Sequence, residues 1–346
     1  MSSGPRHQLI ELTLVRMREF LREPEALFWS FLFPILMTCA LGVAFSSSGG
    51  TRFLVGVADV PGAQELSTAL RRDARFTVRS IEPDEVERAI RNGIVAVVVT
   101  PGKPPVYRYD EARAESQAAR LALDAVLQRA AGRVDVFTPQ ERPVAAIGSR
   151  YIDWVIPGLL GMGIMSTGMW SVGFSIATAR SRKLLKRLVA TPMVRGYYLA
   201  SFVLSRFVFL ALEAAVLMTF AWLAFGVTIQ GTLPSFITVC IVGALAFGAM
   251  ALLVASRART IEAISGLLNF VMLPMWILSG VFFASSNFPG QMQPVIQVLP
   301  LTALIDALRA VTNDARPLAA VMPDLGILAG WGTVSFVAAL KLFRWR

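Results

Sequence analysis

The sequence predicts an α-helical membrane protein with six transmembrane helices, an N-terminal interfacial helix, and a small extracytoplasmic α/β domain inserted between helices 1 and 2. Three observations lead there. Of the 346 residues, 55% are apolar and only 16% charged, a balance more apolar than a water-soluble domain needs. Six apolar runs, at 26–46, 152–179, 199–228, 233–256, 263–284 and 324–343, reach the roughly 20 residues that cross a hydrocarbon layer of about 30 Å. Half of all charged residues fall instead within 51–150, under a third of the chain, and that block belongs in water.

Residues 1–25 precede the first run. In "HQLIELTLVRMREFLREPE" the apolar Leu9, Leu12 and Phe20 recur near helical spacing with cations between them, as in a helix lying on the inner leaflet. Pro24 ends it, because its ring removes a backbone donor and disfavours helix just before it. The run at 26–46 is longer than the 7–15 residues of a signal h-region and reads as an uncleaved first span. Within 47–151, strand and helix patterns alternate: "RFLVGVAD", "FTVRSI", "IVAVVVT" and "PPVYRYD" as strands, and "AQELSTALRRD", "PDEVERAIRNG" and "ARAESQAARLALDAVLQRAAG" as helices. "IVAVVVT" is apolar on both faces, as a central strand is. Residues 152–346 carry helices 2–6, with a cytoplasmic helix at 180–196 and a segment at 285–322 broken by Pro289, Pro294 and Pro300. That last segment is too interrupted to span and is expected to be re-entrant, its short helices dipping in from the outer side.

Lys and Arg set the orientation. Arg6, Arg16, Arg18 and Arg22 precede the first run; Arg180, Arg182, Lys183, Lys186, Arg187 and Arg195 follow the second; Arg257 and Arg259 follow the fourth; Lys341, Arg344 and Arg346 follow or close the sixth. With six spans all four sets lie on one side, which the positive-inside rule makes cytoplasmic. Both termini are therefore expected in the cytoplasm of a multi-pass protein. The preference for Arg over Lys points to a GC-rich genome and a bacterial plasma (inner) membrane. The net charge of +10 is explained by these flanks, with no nucleic acid as partner.

Several kinds of chemistry are excluded. Cys39 and Cys240 lie inside apolar runs and His7 is the sole histidine, so no disulfide framework, His/Cys metal site or His-dependent triad is expected. The only Gly-Lys pair, Gly102-Lys103, runs into Pro104 and lacks the phosphate-cradling Gly-Lys-Ser/Thr pattern. The chain is read as a non-enzyme without a cofactor of its own.

Two features ask for a role. Placed at 100° steps, Leu184, Leu185, Leu188 and Val189 share one arc, while Arg180, Arg182, Lys183, Lys186 and Arg187 cover the other side, up to Thr191 and Pro192. Such a helix is either a topology signal resting on anionic lipid or a docking element for a cytoplasmic partner. Within the third run, Arg206 and Glu213 need partners or water. Seven residues apart, they share a face but touch only by bending toward each other. A polar lock between helices and a lining of a substrate path, or a proton site, are both open.

The order of parts and several motifs resemble the permease subunit of ATP-binding-cassette (ABC) exporters, the type-2 ABC transporter permease family. They are "REPEALFWSFLFPIL", "YIDWVIPGLLGMGIMSTGM", "KRLVATPMVRGYYLAS" and, most specifically, "LSGVFFASSNFPGQMQPVIQVLPLTALIDALRAV". The resemblance covers essentially the whole chain. It implies that residues 1–25 form the family's connecting helix. It also implies that the helix holding Arg180, Arg182, Lys183, Lys186, Arg187, Thr191 and Pro192 couples to a cytoplasmic ABC ATPase subunit, which binds ATP and Mg. A second permease copy, identical or related, is implied too, with spans two and five meeting around a central path. Carried onto this sequence, that path presents Met162, Met165 and Met169, and Asn269, Phe270, Met272 and Trp276. Membrane lipids and a periplasmic adaptor complete the expected partners. One departure is Arg182-Lys183-Leu184-Leu185, standing where many members carry Glu before Gly-Thr-Leu, so this stretch offers the ATPase cations in place of that acid.

The function so implied is export of a hydrophobic or amphipathic substrate from the cytoplasm or inner leaflet, driven by ATP hydrolysed in a separate subunit. The rival readings are an ion-coupled secondary transporter, with Arg206 and Glu213 as its coupling pair, and a membrane receptor whose external domain binds a ligand.

Overall fold

The computed structural model of the chain describes residues 5–45, 52–134, 137, 140, 150–181, 195–258 and 260–342. It divides into two compact units, Met1–Phe45 with Ala145–Arg346, and Ser46–Val144. The first begins with helix α1 (Pro5–Leu21), then α2 (Pro24–Leu27), a π-helical turn (Phe28–Leu32) and α3 (Phe33–Ala44). Pro24 opens α2 at the first helical position, where a missing N–H costs nothing. Pro34 has no N–H to offer the carbonyl of Ser30 one turn back, and the preceding turn is widened, with Phe33 N–H bonded to Phe28 O. The apolar run at 26–46 is thus helical without a break as far as Ala44, and its apolar stretch Phe28–Ala44 is shorter than the five long apolar helices that follow.

The Ser46–Val144 unit is a small α/β sandwich. Strands β1 (Phe53–Ala58), β2 (Phe76–Ile81), β3 (Val97–Thr100) and β4 (Val106–Tyr109) form a sheet in the order β2-β1-β3-β4. β1 is parallel to β2 and β3, and β3 antiparallel to β4. The period-2 alternation of the strands builds a core on each face. Val55, Val57, Val97 and Val99 pack with Leu70 of helix α4 (Ala63–Arg71) and Leu123 of α6 (Ala114–Ala130), while Ala58 and Val98 pack with Val86 and Ala89 of α5 (Val86–Arg91). β3 starts at Val97 rather than at Ile94, because the Ile94 N–H is bonded to Ala89 O, closing α5. Gly93, at φ +68°, supplies the left-handed turn that makes this possible.

On the sheet edge, Tyr107 donates its hydroxyl hydrogen to Asp124 Oδ1 at 3.2 Å. Burial, then the Asp124 carboxylate, push that hydroxyl up to about 12. The folded state thus holds this proton more tightly than the unfolded chain. The stability it contributes is full below about pH 10 and is lost as pH rises toward about 12. An ultraviolet phenolate titration of the full chain is expected to lose its latest-ionising component in Y107F, and an unchanged curve would show that Tyr107 titrates normally.

In the helical unit, α7 (Tyr151–Ser181) is followed by α8 (Arg195–Phe225), α9 (Leu233–Arg257), α10 (Ile261–Leu278), α11 (Gln293–Val298), α12 (Pro300–Thr312) and α13 (Met322–Leu342). Five helices are long and apolar enough to cross a membrane: Tyr151–Thr178, Leu204–Phe225, Leu233–Ser256, Ile261–Leu278 and Leu318–Leu342. The Pro-broken segment forms a pair, Gly290–Val298 and Pro300–Thr312, bent by 82°, with Pro300 as the first residue of the second arm. α7 is the centre, packed against α3, α8, α9, α10 and α12, while α1 runs along α8, where Phe20 meets Phe209 with ring centroids 4.1 Å apart. Leu301, Leu304, Ile305, Leu308 and Val311 of α12 are fully buried. The second arm of the broken pair is thus covered by protein along its apolar side.

Candidate functional site

The helical unit holds two buried polar clusters, both built on α7. The first joins α7 to α8. Arg206 and Glu213 are two turns apart on α8, and their side chains bend until Arg206 Nη1 is 3.9 Å from Glu213 Oε1. This is closer than straight side chains at that spacing reach, but too far for a hydrogen bond. Arg206 Nη2 instead donates to the carbonyl of Ile164 on α7, at 3.1 Å. Thr167, one turn beyond Gly163, lies 3.0 Å from Glu213 Oε2 through its hydroxyl, which is also bonded to the carbonyl of Gly163. A cavity lined by Ser30, Pro34, Leu159, Gly163, Glu213 and Leu217 opens beside this carboxyl.

The second cluster gathers at the N-terminal end of α7. Pro157 leaves the carbonyl of Asp153 without its helical donor, and Asn313 Nδ2, just past α12, fills the place at 2.9 Å. Arg150 forks onto the Asp153 carboxylate, with Nη2 to Oδ1 at 2.7 Å and Nε to Oδ2 at 3.0 Å, and caps the last carbonyl of α8, Phe225 O, at 2.9 Å. Tyr151 donates to Phe282 O at 2.9 Å. Arg309 of α12 donates through Nη2 to Gly280 O at 2.6 Å and through Nε to Trp154 O at 3.2 Å, with its guanidinium 3.8 Å from the Trp154 ring centroid. Asp306, at 3.9 Å and half exposed, is its only carboxylate neighbour among the described residues. Gly280, at φ +77°, turns the chain after α10 so that its carbonyl reaches the guanidinium. At Gly158, a Cβ would come within 2.7 Å of Val281 O, so α7 and the chain leaving α10 meet backbone to backbone.

The residues singled out in the sequence are distributed unevenly over this frame. Met162, Met165, Met169 and Met272 lie inside the core of the helical unit. Trp276 packs against that core, and its indole N–H has no hydrogen-bond partner among the described residues. Asn269 and Phe270 face away from the chain, Phe270 at 76% exposure. Arg180 sits in the last turn of α7, whose helix runs to Ser181, and Arg195 and Gly196 already belong to α8. Arg182, Lys183, Lys186, Arg187, Thr191 and Pro192 lie outside the described residues. Sequence reasoning missed Thr167, Trp154 and Arg309. The signal for Arg309 was a cation in the apolar "LTALIDALRAV" stretch, which a segment at membrane depth does not carry without partners.

Residues 24–341 match the sequence model of a family described as "ABC-2 family transporter protein". Among similar proteins, Nodulation protein J of Rhizobium meliloti (strain 1021) is 33% identical over 102 residues, covering 30% of this chain and 38% of that protein. Linearmycin resistance permease protein LnrN of Bacillus subtilis (strain 168) is 24% identical over 181 residues, 52% of this chain and 46% of LnrN. Inner membrane transport permease YadH of Escherichia coli (strain K12) is 26% identical over 211 residues, 57% of this chain and 75% of YadH. The chain thus spans less than half the length of the first two relatives.

Proposed function

The chain belongs to the ABC-2 family of transporter permeases, and on that premise we propose that it is the membrane-spanning subunit of an ABC exporter. It moves a hydrophobic or amphipathic substrate out of the cytoplasm or the inner leaflet, using ATP hydrolysed by a separate cytoplasmic subunit. The observation that carries this reading is the family match, which runs from Pro24 nearly to the end of α13. A permease named for resistance to linearmycin and one named as an inner membrane permease are among its relatives, which suits export across a bacterial inner membrane. Phe28–Ala44 and the five long helices would be the six spans, with both termini cytoplasmic and the α/β unit inserted between the first two on the far side. Two permease chains, identical or related, would enclose the path between α7 and α10 of each. The chemistry of Met162, Met165, Met169, Asn269, Phe270, Met272 and Trp276 suits an apolar or amphipathic molecule. A periplasmic adaptor is a further partner to seek.

In this reading the cationic segment after α7 docks on the ATPase. ATP-driven closure of the ATPase pair would push on Arg182 to Thr191 and so tilt α7 and α10. The expected result is that tagged protein, solubilised in detergent, co-purifies with a Walker-type ATPase, and that reversing the charges of Arg182, Lys183, Lys186 and Arg187 weakens this capture at least tenfold, about 1.4 kcal/mol. If neither form retains an ATPase under conditions that keep a known exporter together, the segment is a topology signal. The ion-coupled transporter then replaces this reading.

A further inference from the structure

The polar cluster between α7 and α8 carries a site that lies beyond the ATP-driven reading. The Thr167 hydroxyl has one hydrogen and two neighbours positioned to take it, the carbonyl of Gly163 and Glu213 Oε2. A peptide carbonyl only accepts. With the Thr167 hydrogen on Gly163 O, the 3.0 Å contact to Oε2 is a hydrogen bond only when Oε2 itself carries a hydrogen.

The other carboxyl oxygen agrees. Oε1 is buried without a hydrogen-bond partner among the described residues, although a cation is 3.9 Å away. An ionised carboxylate in that position draws a guanidinium into a short fork. Arg206 instead directs Nη2 to Ile164 O, and its Nε is unpartnered as well. Burying an ionised carboxylate with a bare oxygen is far more costly than burying the neutral acid with its hydroxyl bonded. The 3.9 Å separation is therefore not a closed, hydrogen-bonded ion pair.

We propose that Glu213 is a proton-binding site, occupied in this conformation, with Oε2–H donated to Thr167 Oγ1. Among the described residues, the groups that act on it are Arg206 of its own helix and two hydroxyls hydrogen-bonded to the carboxyl, Thr167 of α7 and Ser30 of the π-helical turn. α3 carries no charged residue, and α9 only Arg257 at its last position. The cavity shared by Ser30 and Glu213 has water-accessible room of ≈ 10 Å³, about one water molecule. A water there takes the proton when the Oε2–H bond breaks, and no electrons change hands. The Thr167 hydroxyl then turns its hydrogen from Gly163 O to the carboxylate. Loss of one proton thus opens the side-chain bond within α7 and reverses the donor of the bond between α7 and α8, so occupancy of the site sets whether Thr167 holds its own helix through Gly163 O.

Infrared spectroscopy of the purified full-length protein at neutral pH tests this. A C=O stretch of a protonated carboxyl is expected, sensitive to deuterium oxide, lost in E213Q and moved to higher frequency in T167V, which removes the hydroxyl that accepts its hydrogen. If wild type and E213Q differ only in a carboxylate band, Glu213 is ionised and the proposal is wrong. Should E213Q not fold, T167V decides alone: a protonated-carboxyl region that T167V leaves unmoved overturns the site.

Discussion

Arg309→Ala is expected to destabilise the helical unit by about 3 kcal/mol, more than other truncations of a partly exposed cation in this chain. The guanidinium makes three contacts at once, to two segments: the carbonyl and the ring of Trp154 on α7, and the carbonyl of Gly280 beyond α10. A hydrogen bond to a charged group contributes about 1.5–3 kcal/mol, and a desolvated cation–π contact about 2. The cost of burying the cation offsets part of that sum, which leaves a net loss of about 3. Arg309→Lys keeps the charge but has no planar fork to reach both carbonyls, and it should recover less than half. Thermal unfolding of the purified protein in detergent measures both. A wild-type midpoint for R309A would mean that water, and not the two carbonyls, holds this side chain.

Gly158→Val is expected to cost about 3 kcal/mol through a different mechanism. Its Cβ would lie 2.7 Å from Val281 O, 3.3 Å from Val281 Cα and 3.4 Å from Arg309 Nη2. Two of those three neighbours are backbone, which cannot swing aside as a side chain can, so the helix and the chain leaving α10 must part. Overpacking of this kind costs about 1–3 kcal/mol, and the added β-branch places the effect at the upper end. Gly248→Ala on α9 is the control, since a Cβ there meets nothing within 4 Å and Ala is the better helix former. The same unfolding assay should show G248A unchanged or slightly more stable. Equal midpoints for G158V and wild type would show that α7 and the α10 exit are not held in contact.

Much of the fold was legible because its signals are local. The alternation in "RFLVGVAD" and "FTVRSI" gave β1 and β2 within a residue or two, and Gly93 stands where α5 must turn. Strand β3 came out shorter than "IVAVVVT" because a turn bond from Ile94 back to Ala89 holds its first residues, and no propensity encodes that bond. The first apolar run was legible as a helix, but the widened turn before Pro34 was not. The broken helices around Pro300 were expected from three prolines; their 82° bend was not. In the candidate site, spacing placed Arg206 and Glu213 on one face. It said nothing of Thr167, 46 residues from Glu213, which gives the carboxyl its hydrogen-bond partner.

By itself, then, the sequence determined which stretches are apolar enough for a membrane, where the small α/β unit lies, and which ends of the helices carry cations. Hydropathy, periodicity and charge are properties of neighbouring residues, so a single chain read in order contains them. Only the tertiary structure decided how the buried polar groups are satisfied: Arg309 by carbonyls 29 and 155 residues away, the carbonyl stranded by Pro157 through Asn313, and Glu213 through Thr167. A polar group in an apolar medium must find a partner, but which partner depends on which helices pack side by side, and that is settled by the whole of the packed core.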